Sequence, residues 1–310
     1  MTKYLGLDLG GTNIKICVLG LQDGELTLIE RGSVPTEAIK GPAHVVNLLA
    51  QIAHEYVFEK YSDIGSVGVA VPGIFDHDLG EIILFPNLPG DWLGQPMQKS
   101  IEEKCQRPVS IINDARAFSL AEANAGIARG KSPVACLVLG TGFGGGIIFD
   151  GKVHMGSTLG AGEIGHQIVQ ADGEICGCGA QGCIETLTSA EALSKRAGTQ
   201  TPEEAYKRAI AGDPKAIAAF EESAKWVGIG IANLMVVLAP ELFIIGGGLS
   251  ESGEFFLELI RREAAKRAKL VPDGSIKIVA ASLGVYAGSI GAALNGAMKA
   301  GAQFNLISIT

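Results

Sequence analysis

The sequence is short of charge, and the charge it has is mostly negative. Charged residues make up 19% of 310 positions, and the formal net charge is −8. A chain built to grip a phosphate backbone or an anionic membrane presents a basic face. Neither nucleic acid nor membrane is therefore expected as a partner. Long apolar runs are missing too. The most apolar stretch, Ile231 to Gly248, is interrupted by Pro240 and Glu241, so it does not read as a membrane span. The start, MTKYLGLDLGG, carries no basic-then-apolar leader. Low charge does not mean low hydrophobicity. Hydrophobic residues reach 47%, enough for a substantial core and too many for a disordered chain. The length allows one large domain or two of ordinary size.

Cysteine is sparse, yet half of it is concentrated. Three of the six cysteines fall inside GAGEIGHQIVQADGEICGCGAQGCIE, residues 160–185. The spacing His166-x9-Cys176-x-Cys178-x4-Cys183 assembles one imidazole and three thiols, a set suited to tetrahedral structural zinc. A disulfide is the competing reading. Cys176 and Cys178 are too close to pair easily, and three is an odd number. Glu163 and Glu185 flank the ligands. A zinc-pinned loop carrying two carboxylates makes a rigid platform for a substrate; two merely solvated glutamates are the alternative. Cys17, Cys105 and Cys136 stand alone in predicted elements and read as buried thiols. A reducing cytoplasm suits all six.

In chain order, strands are predicted at 4–9, 14–19 and 26–30, then a helix from Pro42, whose proline is allowed at the first helical position. A strand over 64–71 ends at Pro72-Gly73, and 76–96 reads as a long loop. A helix over 98–104, a strand over 109–112 and a helix over 115–125 follow. Strands at 134–139 and 147–149 repeat the opening strand, glycine turn, strand unit about 130 residues on, which suggests internal duplication of one α/β unit. Helices are expected over 189–197, 202–211, from Pro214, over 255–268 and over 286–300. In the helix from Pro214 the apolar residues step by three and four, so one stripe faces a core. Strands are expected at 241–245 and 276–280. Strands mixed with helices throughout give the class α/β.

Three glycine turns stand out: Asp8–Thr12, Gly140–Gly146 and Gly246–Gly248. Glycine lets backbone N–H groups approach phosphate oxygens. None of the three matches GxxxxGK[ST], and none a good GxGxxG before a helix, so neither a P-loop nor a dinucleotide fingerprint explains them. Asp8 can orient Mg²⁺ through water, or simply cap its turn. Asp114, at the end of a predicted strand, can accept the proton of a hydroxyl attacking phosphorus; capping the next helix is its alternative. Asn87 and Asn113 each offer a donor and an acceptor, which suits vicinal hydroxyls.

Eight segments are distinctive: DLGGTNIK at 8–15, VPG at 71–73, PNL at 86–88, IND at 112–114, LGTGFGGGI at 139–147, GEIGH at 162–166, CGCGAQGCIE at 176–185 and FIIGGG at 243–248. Together they resemble the ROK family of sugar kinases, within the actin/hexokinase-like ATPase superfamily. The resemblance implies a two-lobed, ribonuclease H-like fold of duplicated α/β units with a zinc-binding loop. It places residues 1–113 plus 290–310 in a smaller lobe and 114–289 in a larger one. It implies ATP-dependent phosphorylation of a hexose at the 6-hydroxyl, with Asp114 as catalytic base. Gly73, Asn87, Asn113, Glu163, His166 and Glu185 match sugar-side positions. Gly10, Gly11, Thr12, Thr141 and Gly142 match phosphate-side turns, with Asp8 and Lys15 beside the first. Gly246, Gly247 and Gly248 match the adenosine side. His166 would serve twice, one ring nitrogen on the structural Zn²⁺ and the other toward a hydroxyl. Mg²⁺ is expected with ATP. CIETLTSAEAL at 183–193 looks like the glucokinase branch, whereas Pro89-Gly90-Asp91 lengthens the PNL-x-W segment usual there. Glucose is the expected substrate, with other hexoses or N-acetylhexosamines open. A homo-oligomer, dimer or tetramer, is expected. Repressors of the family carry a helix-turn-helix before the first glycine turn, and the strand starting at Tyr4 leaves no room for one. A non-catalytic sugar-responsive regulator would have no use for Asp114.

Overall fold

A computed structural model describes residues 1–272, 274–304 and 306–308. The chain divides into two compact units, one of residues 1–127 and 283–310, the other of residues 128–282.

The first unit opens with three antiparallel strands, β1 (Thr2–Leu9), β2 (Asn13–Gln22) and β3 (Glu25–Pro35). Helix α1 (Pro42–Glu55) follows, then β4 (Ile64–Val71), which pairs parallel to β1. Alternation along β1 sends Leu5, Leu7 and Leu9 into a core shared with Val45, Leu49 and Ala53 of α1. The expected loop over 76–96 contains strand structure: β5 (Ile74–Phe75) pairs antiparallel with β6 (Ile82–Leu84). Ile82, Phe85, Leu88 and Trp92 bury their side chains, so apolar anchoring orders a stretch whose prolines had suggested a loop. Helix α2 (Met97–Cys105) leads to β7 (Val109–Asn113), parallel to β4, and directly to α3 (Asp114–Asn124).

The second unit repeats the opening. Strand β8 (Val134–Leu139) turns into antiparallel β9 (Phe143–Phe149), followed by β10 (Lys152–Val153). After the cysteine loop come α4 (Glu185–Thr188), α5 (Ala190–Ala197), α6 (Pro202–Ile210) and the long α7 (Pro214–Val237). Phe220, Ala224, Val227 and Ile231 of α7 are fully buried, as their spacing required. Strand β11 (Leu242–Gly246) lies parallel to β8, and α8 (Gly253–Arg267) returns the chain to β12 (Ile278–Ala280). Among the described residues this sheet runs β10-β9-β8-β11-β12.

The chain then re-enters the first unit as α9 (Ala287–Lys299) and β13 (Leu306–Ser308), giving the sheet β13-β3-β2-β1-β4-β7. Helix α9 lies so close to this sheet that a Cβ on Gly6 would sit 2.0 Å from the Ser289 carbonyl oxygen, and one on Gly68 1.8 Å from that of Ala292. Only glycine admits that approach. The division falls after Ile127 rather than after residue 113, because α3 packs on α9 within the first unit. It resumes at Leu283 rather than at residue 290. Residues 309 and 310 of the expected 290–310 segment lie outside the described residues, as does residue 273 of the larger expected lobe. Cys17, Cys105 and Cys136 are buried, and burial pushes the Cys17 thiol up to about 12.

Candidate active site

In the first unit the three parallel strands end at one edge of the sheet. Asp8 stands opposite Ala70, and Val71 opposite Asn113. The turn after Asp8, the bend at Gly73 and the pair Asn113-Asp114 thus meet at the carboxyl ends of β1, β4 and β7. Such an edge is where α/β sheets gather ligands. Asn113 caps α3, its Oδ1 accepting from the Arg116 N–H at 3.2 Å. Its Nδ2 donates to the Gly73 carbonyl at 3.3 Å. The capping role weighed for Asp114 therefore belongs to Asn113, and Asp114 is the first helical residue. Its Oδ1 accepts from the Ala115 N–H at 2.7 Å. Asn87 is exposed in the turn after β6.

Asp8 is held in a costly place. Burial first, and then the charge of Asp114, push its carboxyl up to about 7 against the opposing pull of Lys15. Lys15 sits directly across the β1–β2 ladder. Helix α9 crowds the same carboxylate: a Cβ on Gly288 would meet Asp8 Oδ2 at 2.3 Å. The turn itself is anchored by Gly10 N–H donating to the Asn13 carbonyl at 3.1 Å and by Thr36 Oγ1 donating to the Gly10 carbonyl at 2.6 Å. Gly11 and Thr12 stay exposed.

Lys15 is the one cation within four residues of this turn in sequence, but the fold brings two further side chains to it, Arg31 and Tyr286. Lys15 Nζ lies 5.7 Å from the centre of the Tyr286 ring, and the Arg31 guanidinium 5.5 Å from it. Arg31 faces Cys17 across the β2–β3 ladder, and Cys17 shares a face with Lys15. The hairpin register would have revealed Arg31; Tyr286 arrives only with the returning helix.

In the second unit the glycine turns leave adjacent parallel strands, with Gly246 opposite Val138. A Cβ on Gly140 would lie 4.0 Å from the Gly248 nitrogen, so the two turns are neighbours. Gly247 has φ +82°, and a Cβ there would strike the Leu139 carbonyl oxygen at 2.3 Å, which restricts the position to glycine. Thr141 is exposed. Glu185 links the hairpin to the cysteine loop. Its Oε2 accepts from the Phe143 N–H at 2.8 Å, and its Oε1 accepts from the Cys176 thiol at 3.4 Å. Gly142 adjoins the same carboxylate. Glu163 is exposed just before a short turn, Ile164–His166, and its carbonyl accepts from the His166 N–H at 3.0 Å.

The four expected zinc ligands converge. His166, Cys176, Cys178 and Cys183 place their ligating atoms within 4.8 Å of one another. Cys176 Sγ is 3.6 Å from His166 Nδ1, and Cys178 Sγ is 3.7 Å from Cys183 Sγ. A zinc tetrahedron with ordinary Zn–S and Zn–N bonds has edges of roughly 3.5–3.8 Å, so the donor set fits the ion. Short bridges, Ile168 with Cys183 and Ile175 with Gln181, close the loop around the cluster. Since Nδ1 faces the thiols, Nε2 of His166 is left for another partner.

The profile of the ROK family matches residues 4–295. This chain belongs to the ROK family. Within it, the chain is 33% identical over 326 residues to a glucokinase of Streptomyces coelicolor, with 94% of this chain and 97% of that one covered. It is 34% identical over 307 residues to the N-acetylgalactosamine kinase AgaK of a Shewanella species, covering 94% and 96%. The crystal structure of a ROK glucokinase from Streptomyces griseus, in complex with glucose and AMPPNP, superposes with a TM-score of 0.80 at 30% identity, covering 96% and 99%. The two-sheet ROK architecture described above is that of the actin/hexokinase-like superfamily. No described helix is long and apolar enough to cross a membrane.

Proposed function

We propose that this ROK protein is an ATP-dependent hexokinase that phosphorylates glucose at the 6-hydroxyl. The observation that carries the reading is Asp114: a carboxylate at the end of β7, opening α3, on the sheet edge that also holds the first glycine turn. In the reaction its carboxylate takes the proton of the 6-hydroxyl as that oxygen attacks the γ-phosphorus of ATP. The bond to the β-phosphate oxygen breaks, and ADP leaves. Asn87, Asn113, Glu163, Glu185 and Nε2 of His166 would hold the sugar hydroxyls, with Gly73 nearby. Gly10, Gly11, Thr12, Lys15, Thr141 and Gly142 would hold phosphates, and Gly246–Gly248 the adenosine. Mg²⁺ fits the first unit, where the neighbouring charge of Asp114 adds to the cost of ionising the buried Asp8; Asp8 would hold it through water. When bound it neutralises charge on the transferring phosphoryl group. Zinc on His166, Cys176, Cys178 and Cys183 would fix the loop that orients Glu163 and Glu185.

A second reading is an N-acetylhexosamine kinase, favoured by the 34% identity to AgaK. The test is ADP release by purified protein with MgATP and a panel of glucose, mannose, fructose, N-acetylglucosamine, N-acetylgalactosamine and N-acetylmannosamine. The highest kcat/KM is expected on glucose. A higher value on an acetylated sugar replaces glucose with that sugar, and no turnover on any of them removes the kinase reading.

A further inference from the structure

In the second unit, Phe143 follows the phosphate-side turn directly, and its backbone is held at both polar groups. Its N–H donates to Glu185 Oε2 at 2.8 Å. Its carbonyl lies flush against Gly165, where a Cβ would come within 1.8 Å of the oxygen. Only glycine admits that approach. The turn itself is enclosed from the same side, because a Cβ on Gly142 would meet Glu185 Oε2 at 2.6 Å. The Phe143 ring is buried in a core shared with Ile164 and Ile184, the neighbours of Gly165 and Glu185.

Both grips come from the ends of the cysteine loop. Gly165 immediately precedes His166, and Glu185 stands two positions after Cys183. The backbone that carries Glu185 has little freedom. The Ile184 N–H donates to the Gln167 carbonyl at 2.9 Å. Thr186 donates twice to the Cys183 carbonyl, from its N–H at 3.2 Å and from Oγ1 at 2.8 Å. Gln167 adjoins His166, so the first and last of the four expected ligands are linked through the stretch that leads to Glu185. An ion that draws His166 and Cys183 together therefore also fixes Gly165 and Glu185 around Phe143. A charged acceptor holds an N–H more tightly than a neutral one, but only while its own backbone is held in place.

We propose that the cysteine loop is a clamp on the phosphate-side turn, closed by the metal, with Glu185 as the positioning residue that passes the state of the metal site to the bound nucleotide. This rests on the placement of phosphates at Thr141 and Gly142 proposed above. The loop then serves both substrates, the sugar through the contacts already named and the nucleotide through Phe143. The coupling is reciprocal: the factor by which zinc tightens nucleotide binding is the factor by which nucleotide tightens zinc binding. A loop that supports only the sugar leaves nucleotide affinity unchanged when no sugar is present. A loop that serves only stability lowers the fraction of protein that binds, not its affinity.

Three samples test this, all without sugar: zinc-loaded wild type, wild type stripped by a chelator, and zinc-loaded Glu185→Ala. The Phe143 amide should be protected from hydrogen exchange in the loaded wild type. It should exchange about tenfold faster or more in the other two, the effect of losing a hydrogen bond to a charged acceptor. By calorimetry the Kd for MgADP should be about fivefold higher in those two, the lower end of coupling between sites. Glu185→Ala should keep its zinc, which separates loss of the contact from loss of the metal. In the wild type, MgADP should tighten zinc by the same factor as zinc tightens MgADP, read by competition with a chromogenic chelator. An unprotected Phe143 amide in the loaded wild type overturns the proposal. So does equal exchange or equal MgADP affinity in all three samples, or a wild type that takes up no zinc. If the stripped protein unfolds, loaded Glu185→Ala against loaded wild type decides by the same two measurements. A protein that binds no MgADP in any state removes the nucleotide reading, and exchange at Phe143 alone then decides the clamp.

Discussion

The two glycine hairpins make the natural comparison. In the first unit, β1 delivers Asp8 two positions before the turn glycine, and β2 returns Lys15 opposite it. In the second, β8 and β9 pass through residues 134–149 without a charged side chain. A carboxylate still reaches the second hairpin, but from elsewhere: Glu185 comes from α4 and accepts the Phe143 N–H. One copy thus has a charge built into the strand, strained enough that burial pushes it up to about 7. The other borrows a charge from the cysteine loop. The same local fold can be given a chemical group or a structural anchor, depending on whether the carboxylate is encoded within the hairpin or brought to it.

The largest effect is expected at the carboxylate proposed as base, Asp114, which shares a sheet edge with the first hairpin. Asp114→Asn keeps the shape and deletes the base, and kcat should fall at least ~100-fold with sugar binding largely retained. Turnover within a few-fold of wild type would take Asp114 out of the mechanism. On the second unit's side, Cys178→Ser should lose zinc, measured by elemental analysis against about one zinc per chain in the wild type. It should raise the sugar KM about tenfold, the usual cost of disturbing groups that orient a site. Full activity in a metal-free protein would show that the loop needs no ion to hold Glu163 and Glu185.

The smallest effect concerns Asp8 and stability. Its carboxyl binds a proton more tightly when folded than when unfolded. Its contribution to stability is therefore present below the ordinary carboxylate value and is lost as the pH climbs to about 7. Asp8→Asn removes that loss. Without nucleotide or Mg²⁺, the Tm of the variant relative to wild type should rise from pH 5 to pH 8. A Tm difference that stays flat across the interval would mean that Asp8 is not strained, and the contrast between the hairpins would narrow to the position of a charge.

Parts of this protein were legible because their information is local. Strands β4 and β8 run over the residues predicted for them, since short apolar runs bounded by Pro-Gly or Gly-Thr have few other ways to fold. The four proposed zinc ligands lie within 18 positions, 166–183, and no long-range packing was needed to infer their cluster. The β5–β6 pair was missed because each strand is two or three residues long and prolines surround it. Strand β13 was missed because it adds to β3 from the far end of the chain.

The sequence by itself determined the α/β class, the duplicated glycine hairpins, the Cys3His cluster and the candidacy of Asp114. Each of these depends on residue type and spacing over a few turns of chain. The tertiary structure decided which residues accompany them. It made Asn113, not Asp114, the cap of α3. It set Arg31 and Tyr286 beside Lys15, and it joined Glu185 to the second hairpin. The reason is the same each time: a buried polar group must find its partner wherever the packed chain puts one, and sequence distance does not limit where that is.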